Sequence, residues 1–246
     1  MSAVYCHGLP GSPTEWRAFA PSRQLLSLDR LGQLDPTYES NVLEAFDALN
    51  LDAPTNIIGF SLGAMAAIHI AARRPLKAHR LILVSPAAPL ELGNFLPSMA
   101  GKPVFEAAQR GALSLQLLTI AQNALLSVAP KAMLQTMFAT SAVAERGLLA
   151  DPSFQTMLVD GMKQCFGSHQ RAYQNELIAF VRPWAHLLDN ISCDVTIWQG
   201  EQDSWTPPAM SAALQSRLGS KASVHTLNGR GHYGALKDLL TSHYEI

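Results

Sequence analysis

The sequence predicts an α/β fold: a mostly parallel sheet of about six strands covered by helices on both faces, with an all-helical insertion. Three observations predict it. Short apolar runs at 3–7, 24–28, 55–59, 80–85, 194–198 and 223–227 have the length and the bounding turn residues of buried strands. Amphipathic or wholly apolar helical stretches separate most of these runs. Between 86 and 184 the strand rhythm stops and helical periodicity alone continues. The core is therefore assigned to 1–85 and 185–246, and the insertion, a helical cap, to 86–184.

The first run ends at Gly8, and Gly8-Leu9-Pro10-Gly11-Ser12-Pro13 is turn chemistry before a short helical segment at Thr14-Glu15-Trp16. After the second strand, Asp35-Pro36-Thr37 leads into a helix running to Leu49, with Val42, Leu43, Phe46 and Leu49 on one face. The third strand turns at Ser61 into a helix that is apolar almost all round, closed by Arg73, Arg74 and Pro75. In the insertion, Gly111, Pro130, Gly147, Pro152 and Gly167 divide the helical pattern into several short helices. The rhythm resumes with a helix ending near Leu188. After the fifth strand, Thr206 is the expected N-cap of the next helix, with Pro207 at its first position and Gly219 past its end. The loop Asn228-Gly229-Arg230-Gly231-His232 precedes a terminal helix.

The 246 residues carry a net charge of −1, with 48% hydrophobic and 15% charged residues, which suits one large core. No basic run or stripe is present, so nucleic acid is not an expected partner. The first residues lack a basic segment followed by an apolar run, and no stretch is long enough to cross a bilayer; a cytoplasmic location without a membrane span is expected. Cys6, Cys165 and Cys193 are odd in number and widely spaced, against a disulfide framework or a cysteine zinc site. Cys6 and Cys193 read as small core hydrophobes. The scattered histidines, His69 among them, show no metal-ligand spacing, so neither a metal nor a cofactor is expected.

Gly59-Phe60-Ser61-Leu62-Gly63 has a mechanical reason for its spacing. Holding a hydroxyl clear of a strand-to-helix turn strains the backbone at the serine and crowds the positions two before and two after, where glycine removes the colliding Cβ atoms. The five residues alone also fit an ordinary Gly-rich turn. Ser61, Asp203 and His232 each follow a different strand, so a parallel sheet places them on one rim. There the imidazole can take the serine proton, and a carboxylate on its other nitrogen fixes the tautomer. Glu201 competes with Asp203 for that role, and His7 reads as a loop-shaping residue rather than a base.

In these stretches, His7-Gly8, Gly59-Phe60-Ser61-Leu62-Gly63, Gly200-Glu201-Gln202-Asp203 and Gly229-Arg230-Gly231-His232, the chain resembles the α/β-hydrolase family. The resemblance covers roughly 3–85 and 180–240. It implies Ser61 as nucleophile, His232 as general base and acid, Asp203 as orienting carboxylate, and the backbone amides of Leu9 and Leu62 as oxyanion donors. Two departures stand out. Family members usually carry antiparallel strands before the His-Gly strand, which here nearly abuts Met1, so one sheet edge is expected to be exposed, covered by a partner or missing its strands. The usual Gly-x-Gly-x-Ser turn after the second strand is replaced by Asp29-Arg30-Leu31-Gly32-Gln33-Leu34.

The implied activity is hydrolysis of small-molecule carboxylic esters with small to medium apolar groups, through an acyl-enzyme. Lactonase, thioesterase, acyltransferase and carbon-carbon bond hydrolase chemistry share the same triad and stay open, as does a non-catalytic ligand-binding role on this fold. Five of the eight methionines fall in the insertion, Met99, Met133, Met137, Met157 and Met162, as core filling or as the lining of an apolar pocket. Leu9, Trp205, Met133, Met137 and Phe138 are the candidate substrate-binding residues, with Arg17 or Arg30 recognising an acidic substrate in the alternative. No oligomeric state is implied.

Overall fold

Apolar runs too short for helices and bounded by turn residues pair edge to edge in the computed structural model, which describes residues 3–32 and 37–244. Met1, Gln33, Leu34, Asp35 and Pro36, which entered the sequence expectations, lie outside the described residues. The strands are β1 (Ala3–Cys6), β2 (Leu25–Ser27), β3 (Thr55–Phe60), β4 (Ala78–Val84), β5 (Asp194–Gly200) and β6 (Ala222–Leu227). Among the described residues they form one sheet, every pair parallel, in the order β2-β1-β3-β4-β5-β6. All six residues of β3 are buried, which is why Ile57, Ile58 and Phe60 do not alternate with solvent-facing polar residues. The chain runs outward from β1 to β2 and then crosses back to β3. The strand order therefore reverses between β1 and β3, where open α/β sheets form their crevice. The short β2 occupies one sheet edge and β6 the other.

Helices α1 (Tyr38–Asp47), α2 (Gly63–Arg73), α9 (Pro208–Leu218) and α10 (His232–Thr241) accompany the strands. Thr37 Oγ1 accepts from Ser40 N and caps α1. All of α2 except Arg73 is buried, as its uniformly apolar sequence requires. Two expectations change here. Thr206 is not the N-cap of α9; Pro207 holds that position and the Thr206 hydroxyl turns inward. The segment ending near Leu188 is a 3-10 helix, Ala185–Asn190.

Between β4 and β5 the described chain is helical: α3 (Lys102–Arg110), α4 (Ala112–Val128), α5 (Pro130–Met137), α6 (Val143–Gly147), α7 (Pro152–Lys163) and α8 (Gln170–Phe180), with short 3-10 turns and, between α7 and α8, one π-helical turn, Gln164–Ser168. Pro130 and Pro152 open α5 and α7, and Asp151 Oδ1 accepts from Ser153 N at the start of α7. Not every helix is short, because α4 runs 17 residues with no interior glycine or proline to break it. Its sequence is apolar on every side while neighbours cover one side, so Leu113, Leu117, Ile120 and Val128 face outward. The three cysteines are free; Cys6 and Cys165 are buried, whereas Cys193 is half-buried. No helix of the described residues is long and apolar enough to cross a membrane.

Candidate active site

Ser61 sits at φ 55°, in the left-handed region that a side chain rarely occupies, between the end of β3 and the start of α2. Its N–H donates to Val84 O at 3.0 Å, and its carbonyl accepts from Ala64 N and Ala87 N, so the strained turn is held from three sides. The glycine spacing follows from contact. A Cβ on Gly59 would lie 2.7 Å from Ala64 Cα, and one on Gly63 would overlap the carbonyl oxygens of Cys6 and His7.

Asp203 follows β5 and His232 opens α10 after β6. The two meet, with His232 Nδ1 donating to Asp203 Oδ2 at 2.8 Å. That bond places the imidazole proton on Nδ1 and leaves Nε2 as the acceptor. The other carboxylate oxygen accepts from Trp205 N at 2.8 Å and Thr206 N at 3.0 Å. Burial works against the Asp203 anion, but the His232 imidazole and these two amides outweigh it and hold the carboxyl below its ordinary range. Thr206 Oγ1 lies 2.9 Å from both Asp203 Oδ2 and Ser85 O, and its one proton serves either acceptor. The imidazole is clasped between rings, stacked on Trp205 at 5.2 Å and tilted against Phe60 at 4.8 Å. Glu201, the competing acid, is exposed and accepts from Gly229 N, away from the imidazole.

The loop after β1 approaches the same rim. His7 is buried, its Nδ1 bonds Gly8 O at 2.7 Å, and burial followed by the nearby Arg30 pushes its pKa well below the ordinary value. Beneath the loop, Glu15 Oε1 accepts from Gly8 N at 2.7 Å and from Tyr5 Oη at 2.9 Å. Burial raises the Glu15 carboxyl to about 7 in spite of these donors. Arg30 makes a two-pronged buried ion pair with Glu176 of α8, both contacts at 2.8 Å, and donates to His7 O at 2.7 Å. It is therefore spent within the protein. Arg17 lies over the ring of Trp16.

A cavity of about 270 Å³ opens at Ser61, and its wall includes Leu9, Leu62, Met133, Met137 and Trp205. Phe138 is not on that wall; it is fully buried behind it, between Trp205 at 5.2 Å and Phe154 and Tyr233 at 6.1 Å. Of the insertion's methionines, Met99 lines the cavity as well, and Met162 is buried elsewhere. No charged side chain of the described residues lines it. Thr206, Glu15 and Glu145, whose carboxylate reaches α10, carry no motif, and only the burial of polar side chains picks them out. No three His, Cys, Asp or Glu side chains of the described residues converge as a metal site would require.

Residues 3–239 match the family profile described as the alpha/beta hydrolase family. A pimeloyl-[acyl-carrier protein] methyl ester esterase of Neisseria meningitidis serogroup B is 31% identical over 179 residues, 72% of this chain and 62% of that protein. The serogroup A counterpart is 26% identical over 178 residues, 72% of this chain and 51% of that protein. The chain thus spans less than two thirds of the length of these relatives. Among solved structures, a thermophilic esterase from Thermogutta terrifontis superposes with a TM-score of 0.64 at 15% identity, covering 97% of this chain and 85% of that one. An enol-lactonase from Burkholderia xenovorans gives 0.62 at 15% identity, covering 96% and 85%. Both share the fold.

Proposed function

This chain belongs to the alpha/beta hydrolase family, and on that premise we propose that it hydrolyses carboxylic esters of small to medium apolar groups through an acyl-enzyme on Ser61. The observation that carries the reading is the Asp203–His232 hydrogen bond of 2.8 Å on the rim where Ser61 is held at φ 55°. With its proton on Nδ1, His232 takes the Ser61 proton at Nε2 as Oγ attacks the ester carbonyl carbon. Negative charge then develops on the carbonyl oxygen and meets the backbone amides of Leu62, at the head of α2, and Leu9. The carboxylate of Glu15 on Gly8 N supports the second donor by orienting its loop. Collapse returns the proton to the leaving alcohol, and water repeats the sequence on the acyl-enzyme.

Residues 86–184 act in this reading as a cap whose underside supplies Met99, Met133 and Met137 to the cavity. The uncharged lining suits a neutral hydrocarbon chain, and Arg30 is already committed to Glu176. The named relatives act on a methyl ester, which is consistent with a small leaving alcohol here. The test is the specificity constant for aryl esters from acetate to decanoate, with a thioester and a lactone alongside. Each buried methylene contributes about 0.8 kcal/mol, so a rise of about three- to fourfold per carbon is expected until the cavity is full, then a decline. Indifference to acyl length, or a preference for charged acyl groups, contradicts the apolar pocket.

A further inference from the structure

Helix α10 begins with His232, yet the residue before it, Gly231, has no side chain with which to cap it. The cap comes from the insertion. Glu145 of α6, 2% exposed, accepts from Tyr233 N at 2.5 Å through Oε1 and from Gly234 N at 3.1 Å through Oε2. The fit is close, since a Cβ on Gly231 would lie 2.6 Å from Glu145 Oε2. The same stretch reaches the other side of the imidazole: Ser141 Oγ accepts from Trp205 Nε1 at 3.1 Å, and Trp205 is the ring stacked on His232.

We propose that Glu145 is a positioning residue for His232: its carboxylate, delivered from the insertion, anchors the first turn of α10 and, as a second anion beside Asp203, favours the imidazolium formed during the reaction. The role rests on the hydrolase reading above. The groups around the pair are few. Asp203 faces His232 from the β5 side, and Glu15 acts on it from the loop after β1. Around Glu145 stand Arg230, Lys237 and Asp238, of which Arg230 is paired with Asp238 at 2.7 Å. Burial raises the Glu145 carboxyl above its ordinary value, opposed by the two amides and by His232.

Glu145→Gln keeps the size, removes the charge and leaves an amide nitrogen facing one of the two N–H donors. The experiment follows the His232 ring by NMR at one fixed pH in the wild type and in this variant, with kcat and KM on the best aryl ester. In the variant the ring resonances should shift or broaden, because the first turn of α10 that carries the ring has lost its anchor. At the same time kcat should fall about tenfold with KM within about twofold, as expected when a catalytic group is slightly misplaced. Glu145→Ala should lose more, and if it fails to fold the glutamine variant decides. Ring resonances alike in both proteins overturn the proposal, and so does a changed ring spectrum with unchanged kcat. If the wild type hydrolyses no ester, the hydrolase reading fails while the ring spectrum alone still decides the positioning role.

Discussion

Ser61, Asp203 and His232 each stand a few residues past the end of a strand, β3, β5 and β6, and parallel topology alone brings those ends to one rim. The helices of residues 86–184 contribute differently. Glu145 reaches a partner 88 residues away, at Tyr233, and Glu176 one 146 residues away, at Arg30, with no strand order to align them. The rim is thus set by local turn chemistry and the insertion by pairwise complementarity. Damage to the rim should remove chemistry and spare the fold, whereas damage to the insertion's buried pairs should cost stability or selectivity.

The largest expected effect is at the rim. Asp203→Asn should lower kcat by about 10³- to 10⁴-fold, as loss of the orienting carboxylate does elsewhere, while Glu201→Gln stays within about twofold and both melt like the wild type. Comparable losses in the two variants, measured on one aryl ester, would erase the distinction between them. Next comes the buried pair that ties α8 to the loop after β2. Glu176→Ala strands the Arg30 guanidinium without its carboxylate and should cost about 3–5 kcal/mol in urea unfolding. A cost under about 1 kcal/mol would show that the insertion is not fastened there.

Glu15 gives a smaller effect with a defined sign. Its folded pKa of about 7 exceeds the ordinary carboxyl value of 4.5, so the folded state holds a proton that the unfolded state releases. The stability tied to that proton is fully present below the unfolded value and is lost as pH rises through about 7, on the order of 2–3 kcal/mol. Stability of the wild type should therefore decline from pH 4.5 to 8, and Glu15→Gln should flatten that decline; equal slopes would place the buried anion elsewhere. The smallest effect is in selectivity. Met137→Ala widens the cavity and should move the preferred acyl chain longer, with about three- to fourfold gain for each added carbon it admits. An unmoved optimum would separate Met137 from the substrate.

How much of this was legible in the sequence follows the same division. The six strands and the Gly-x-Ser-x-Gly turn could be read because each depends on neighbours within a few residues, and the contacts at Gly59 and Gly63 give the reason. Thr206 was misread as a helix cap because its position before Pro207 fits that role equally well, and only the folded chain shows its hydroxyl against Asp203. Phe138 looked like a pocket residue because apolarity does not tell which face of a helix segment meets a cavity and which meets the core behind it. Glu15 and Glu145 carried no signal, and Arg30 was legible only as a partner for an acidic substrate, since a charged residue in sequence is read as solvated until its buried partner is known.

A nucleophile at Ser61 activated by His232 should react with a fluorophosphonate, the activated serine oxygen displacing fluoride and keeping the phosphonyl group. Intact mass should show one adduct, peptide mapping should place it on Ser61, and Ser61→Ala should abolish it. Substituting His232 with glutamine should slow labelling by about 10³-fold or more, the scale expected for loss of the base. Absence of labelling in folded protein, or an adduct that persists in Ser61→Ala, would rule out Ser61 as the nucleophile.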